Sequence, residues 1–212
     1  MSLLNNIFSQ KKRGIPAGHF LVKESIEILP TKSGMVEEIR SLISVPEKYW
    51  NVLYYPCIAN LSELCQDLPA SEYHHHSHAG GLLEHTLDVC LRSLKYRQGN
   101  QLPAGGSPDE VTQESQLWTY AIFTASLIHD IGKPLSDQSI TLYDHNHKVL
   151  RNWNPLLDRM HDHNSFSYTF EYIRGDNNKR NYQLHQLTSP LFINSIIPKQ
   201  GLAWLSSNNI FY

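Results

Sequence analysis

The sequence predicts a mainly α-helical bundle carrying a small antiparallel β-sheet insertion at about residues 139–174. Three observations predict it. Apolar residues recur at helical spacing on both sides of that stretch, as in Leu61, Leu64, Cys65 and Leu68. Between those helices the period switches to strict alternation, with Phe166, Tyr168, Phe170 and Tyr172 on one face. The composition, 41% hydrophobic and 18% charged over 212 residues, suits one globular core.

Residues 1–30 read as an irregular leader, punctuated by Gly14, Pro16, Gly18 and Pro30, and residues 31–212 as a single domain. Met35–Ile43 and Tyr49–Leu68 read as helices, the second interrupted near its start by Pro56 and stopped by Pro69. Gly80–Tyr96 is the next helix, with Leu83, Leu87, Cys90 and Leu94 as its core stripe. At about 100° per residue, His85 falls nearly opposite that stripe, bordered by Leu82 and Val89. His78 shares the face of His85 if the helix begins early enough.

Gln98–Pro108 is a polar loop, and Asp109 is the expected cap of a helix running through Trp118, Ala121, Ile122, Ala125 and Ile128 to His129. His129 thus projects from an apolar face, and Gly132 and Pro134 end the helix. Ser139–Asp144 and Lys148–Trp153 flank a His-Asn-His turn as a hairpin, and Ser165–Arg174 is a third strand. Gly175–Lys179 is a turn, Asn181–Ile197 a helix broken at Pro190, and Gly201–Leu205 the start of another. The final Ile210-Phe211-Tyr212 lacks a closing cap, so the domain is expected to continue beyond it.

Charge and cysteine usage exclude several classes. Eighteen basic and 20 acidic side chains give a net charge of −2, which argues against a surface that coats polyanions. Lys11, Lys12 and Arg13 form the one basic run, which reads as a solvated terminus. Cys57, Cys65 and Cys90 are an odd count without C-x-x-C spacing, so neither a disulfide framework nor a thiolate zinc knuckle is expected; a reducing, cytoplasmic setting fits. No apolar run approaches a membrane span and no basic–apolar leader opens the chain. No membrane partner is expected.

Histidine is the one excess: twelve in all, five of them between His74 and His85. The pair His129-Asp130 can place an imidazole and a carboxylate on one cation, a mixed ligation that suits zinc, manganese, iron or nickel. An imidazole on an apolar face needs a partner, and Ile131-Gly132-Lys133 leaves a lysine beside the carboxylate. The second histidine-bearing helix, around His85, lies 44 residues upstream. His85, His129 and Asp130 are therefore the expected protein ligands of a divalent metal. His74, His75 and His76 read three ways: as ligands of a second metal or proton carriers, as partial cations for a phosphate, or as a polar loop capping the next helix. His145, His147, His161 and His163 fall in turns and read as solvated. The aromatic stripe from Phe166 to Tyr172 could stack on bases but reads better as the buried side of a small sheet. Arg174, Lys179 and Arg180 could meet a DNA backbone or form a solvated turn.

Gly80-Gly81-Leu82-Leu83-Glu84-His85-Thr86-Leu87-Asp88-Val89, followed by Leu127-Ile128-His129-Asp130-Ile131-Gly132-Lys133, resembles the HD metal-dependent phosphohydrolase superfamily. That resemblance implies an HD-type helical bundle holding a divalent ion (manganese, magnesium, zinc, iron or nickel) and cleaving phosphate esters. The run from Leu68-Pro69-Ala70-Ser71 through His74-His75-His76 to Gly80-Gly81 is similar to the N-terminal domain of TraI-type conjugative relaxases of the histidine-rich MOBH class. So are the strands from Ser139 to Arg174 and the segment Tyr182-Gln183-Leu184-His185 through Ile197-Pro198 to Trp204-Leu205. This likeness implies a plasmid or integrative-element protein that processes DNA, single-stranded or at a transfer origin, beside other conjugation proteins. HD proteins complete their site with a late aspartate. Asp176 is the one aspartate after Asp162 and sits in an expected turn, so the missing ligand is expected beyond Tyr212. His185 is the in-chain supplement, either facing the metal or lying on the helix surface.

On this reading the metal held by His85, His129, Asp130 and His185 activates a nucleophile, Lys133 neutralises phosphate charge, and one of His74, His75 and His76 carries protons. No tyrosine among the 11 stands out as a covalent nucleophile. Two other readings remain: an HD hydrolase of a small nucleotide, and a non-catalytic module docking DNA or relaxosome partners.

Overall fold

The computed structural model of the protein describes residues 14–174 and 184–207. The Lys11–Arg13 run, the turn with Asp176, Lys179 and Arg180, residues 181–183 and the closing Ile210–Tyr212 lie outside the described residues.

The bundle is built from α1 (Ser25–Ile28), α2 (Ser33–Ile43), α3 (Glu47–Tyr49), α4 (Tyr55–Cys65), α5 (Gly81–Gln98) and α6 (Pro108–Ile128). After the one-turn α7 (Lys133–Ser136) and the sheet come α8 (Leu184–Thr188), α9 (Ile193–Ile196) and α10 (Lys199–Ser207). α5 lies between α2 and α6, and α4 packs on α1, α5, α6 and α9. The stripes read from the sequence are the contacts: Leu61, Leu64, Cys65 and Leu68 of α4 and its end are buried, as are Leu83, Leu87, Cys90 and Leu94 of α5. The three cysteines are buried free thiols.

Pro56 does not break its helix. Trp50–Tyr54 winds as a π-helix and hands over to α4 with Pro56 in the first turn. The wider turn accommodates a ring that lacks an N–H and would otherwise crowd the carbonyl of Val52. The start of α6 differs from expectation. Ser107, not Asp109, is its cap: the hydroxyl accepts from the Glu110 N–H while Glu110 reaches back to the Ser107 N–H. That reciprocal pair satisfies two orphan donors that Asp109, already inside the helix after Pro108, cannot reach.

The sheet has four strands, not three, in the order β1-β4-β2-β3, all antiparallel. β2 (Gln138–Tyr143) and β3 (Val149–Asn152) form the expected hairpin, and β4 (Ser167–Tyr172) is the expected third strand. The extra strand, β1 (Phe20–Leu21), lies in the stretch read as irregular leader, which also contains α1. Two residues show no alternation of their own; what makes them a strand is pairing with Tyr168 and Ser167 of β4, and Phe20 packs on the rings of Tyr168 and Phe170. The aromatic stripe is thus the packed side of the sheet: Tyr168 is fully buried and its hydroxyl accepts from the Asp67 N–H at 2.9 Å. Gln138 donates to the Pro69 carbonyl at 3.2 Å, which ties the sheet to the chain leaving α4. Among the described residues no helix is long and apolar enough to cross a membrane.

Candidate metal centre

Two close approaches put the histidines in place. The histidine-rich segment after Pro69 loops out and returns to where it left. Ala70 N–H donates to the His76 carbonyl at 2.9 Å, and Leu82 N–H to the Leu68 carbonyl at 3.0 Å. The return requires Gly81, where a Cβ would lie 2.0 Å from the His76 carbonyl oxygen. His85 follows one turn into α5. Alongside it α6 ends, and His129 is its C-terminal cap residue, N–H on the Ala125 carbonyl.

The two packed helices thereby bring three donor atoms into one triangle. His85 Nε2 lies 3.3 Å from His129 Nε2 and 3.3 Å from Asp130 Oδ2, and His129 Nε2 lies 3.5 Å from that same oxygen. Ligands bound at about 2.1 Å in tetrahedral geometry stand roughly 3.4 Å apart. All three edges agree with that separation. The lone pairs agree too. His129 Nδ1 donates to the Ser126 carbonyl at 2.7 Å, which fixes the tautomer and leaves Nε2 as the free ligand atom. The residues therefore fit a borderline divalent cation. Two imidazoles and one carboxylate favour zinc, iron or nickel over magnesium.

A second layer holds the aspartate. Lys133 Nζ donates to Asp130 Oδ2 at 2.5 Å, and His185 Nε2 lies 3.3 Å from Oδ1. Burial by itself would raise the Asp130 pKa, but the His85 and Lys133 contacts outweigh it and hold the carboxyl well below its ordinary range. Burial lowers the pKa of His129, with Asp130 opposing, so the neutral ligand form is favoured. His185 is buried, with Nδ1 3.6 Å from Asp137 Oδ2, so it stands between two carboxylates. It touches the far oxygen of Asp130 and is not among the three clustered ligand atoms. Ser189 ties α8 and the turn after it to the His-Asp corner: its hydroxyl accepts from the Gly132 N–H at 3.0 Å and donates to the His129 carbonyl at 3.1 Å. Gly132 permits this contact, since a Cβ there would lie 2.4 Å from the His185 carbonyl oxygen.

The histidine run divides. His74 is exposed and lines a small cavity of about 160 Å³ with Tyr73, Lys133, Asp137 and His185. His75 is exposed. His76 turns inward, its ring 5.3 Å from that of His85. His78 precedes α5 and so does not share the face of His85; its Nε2 lies 3.4 Å from Glu84. His145 and His147 stay at the hairpin turn against Phe166, and His163 pairs with Asp158. Asp137, Ser189 and Glu84 were not singled out from the sequence. The spacing of Asp137 to Asp130, one short helix apart, was a signal; for Ser189, sixty positions from its partner, there was none.

Residues 19–212 match the model of the TraI_2 family, described as "Putative helicase". The chain belongs to that family, and is TraI-like. No curated protein matches it significantly.

Proposed function

We propose that this protein is an HD-type metal-dependent phosphodiesterase domain of a conjugative relaxase, spanning about residues 19–212 and nicking DNA in the cytoplasm at a transfer origin beside other conjugation proteins. The observation that carries the reading is the convergence of His85 Nε2, His129 Nε2 and Asp130 Oδ2 at 3.3–3.5 Å, with the His129 lone pair directed by Ser126. Membership of a TraI-type family supports the DNA substrate.

His85, His129 and Asp130 hold the cation, which when bound supplies Lewis-acid polarisation of the phosphoryl oxygen and a lowered pKa for a nucleophilic water or hydroxyl. His185 and Lys133 grip one carboxylate oxygen each and so fix the orientation of Asp130. Lys133 also lines the small cavity beside His185, where its ammonium neutralises charge developing on a phosphate. His74, which lines the same cavity, is the proton carrier in this reading.

The test is nicking of supercoiled plasmid bearing the transfer origin with Mn²⁺ or Zn²⁺ added, against turnover of a panel of free nucleotides. Nicking that falls to background in His129→Ala, with an unchanged thermal melt, supports the reading. Turnover of a nucleotide without nicking moves the assignment to a small-molecule hydrolase. A non-catalytic DNA-docking module is the second reading, favoured by Lys133 already balancing the charge of Asp130. It expects DNA binding that is indifferent to metal and to His129→Ala.

A further inference from the structure

We infer that a second, outer cation site is formed by His76, His78 and Glu84, on the side of His85 away from His129. His76 Nδ1 lies 3.7 Å from Glu84 Oε1, and His78 Nε2 lies 3.4 Å from Glu84 Oε2. The ligand atoms all fall within 4.8 Å of one another, a clustering shared, among the described residues, with the triangle of His85, His129 and Asp130. The donor set is again two imidazoles and one carboxylate, and the two carboxylate contacts, 3.4 and 3.7 Å, lie at and a little above the roughly 3.4 Å edge of a tetrahedral site. Its ligand class is therefore a borderline divalent cation such as zinc, with at least one position left for water or a phosphate oxygen.

Local structure supports a purpose-built pair of ligands. Glu84 sits in the first turn of α5, immediately before His85, so one helix turn presents a ligand to each site. Gly81 and the Ala70–His76 hydrogen bond bring His76 back over that turn. The rings of His76 and His78 lie 6.0 Å apart and those of His76 and His85 5.3 Å apart, so His76 forms the wall between the sites. Glu84 also pairs with Lys32, at the start of α2. A divalent ion bound between the two histidines competes with that ammonium, so Lys32 sets the affinity of the outer site. Bound metal then clasps the histidine loop to α5.

Metal binding tests this independently of nicking. The 212-residue protein, stripped of metal, is titrated with Co²⁺, read by its d–d absorbance, and Zn²⁺ retained after dialysis is counted by elemental analysis. The wild type is expected to bind two equivalents, and both His129→Ala and His76→Ala/His78→Ala one each. Glu84→Gln, which keeps the side-chain volume, is expected to weaken the same equivalent as the histidine pair. Lys32→Met is expected to tighten it on the order of tenfold, as a charged competitor is lost. The inference is overturned if His76→Ala/His78→Ala and Glu84→Gln leave the stoichiometry unchanged. It is equally overturned if those variants and His129→Ala each abolish all binding, because a single shared ion then explains the data. A wild type that binds a single equivalent, retained in His129→Ala and lost in the loop variants, upholds the outer site and sinks the inner one.

Discussion

Ser189→Ala tests whether the His-Asp corner is held by its second layer. The Ser189 side chain is 3% exposed, and its hydroxyl bridges the Gly132 N–H at 3.0 Å and the His129 carbonyl at 3.1 Å. Removing the oxygen leaves one buried donor and one buried acceptor without that partner. Each orphaned group costs about 1–3 kcal/mol, so about 2–6 kcal/mol in total is expected. For a domain of this size 1 kcal/mol corresponds to a melting shift of about 2–4 °C, so the variant is expected to melt roughly 4–24 °C lower. The control is Ser207→Ala, whose exposed hydroxyl bonds to the Trp204 carbonyl one turn back; it is expected to shift the melt by about 1–2 °C at most. Metal affinity, measured in the same preparations, is expected to fall about 10–100-fold as His129 and Asp130 lose their anchor. A melt for Ser189→Ala indistinguishable from that of Ser207→Ala would refute the reasoning.

Gly132→Ala drives a Cβ to 2.4 Å from the His185 carbonyl oxygen and 2.8 Å from the Ser189 nitrogen; since backbone must yield, a loss of about 1–3 kcal/mol is expected in chemical denaturation. Leu61→Ala, at a fully buried position of α4, is expected to cost about 2–5 kcal/mol by the same assay, without altering the metal stoichiometry. Acid sensitivity follows from Asp130. A carboxyl held below its ordinary range stabilises the fold above that range, about pH 4, and loses the contribution as pH falls toward its own depressed value. The metal-free wild type is therefore expected to lose more melting temperature between pH 6 and pH 3 than Asp130→Asn, which has no such proton to take up. Equal losses would contradict the assignment.

The helices of the bundle, the hairpin and the aromatic strand were legible in the chain because each declares itself over a short window: a stripe at 3.6 residues, an alternation at 2, a tight polar turn. His85, His129 and Asp130 were legible for a related reason. Periodicity put His85 opposite the core stripe of its helix and His129 on the apolar face of another, each next to residues that belong to the interior. Tertiary structure alone decided the rest. Strand β1 exists because β4 lies beside it, and Phe20 and Leu21 carry no repeat from which pairing 148 positions away could be read. Which histidine of the run faces inward depends on Gly81 allowing His76 back onto α5, and Glu84 becomes a partner of His76 and His78 only through that return. Ser189 reaches the His-Asp corner because Gly132 has no side chain to keep it away. Local sequence specifies backbone conformation and which face is apolar, but the short distances on which coordination depends arise from packing between segments far apart in the chain.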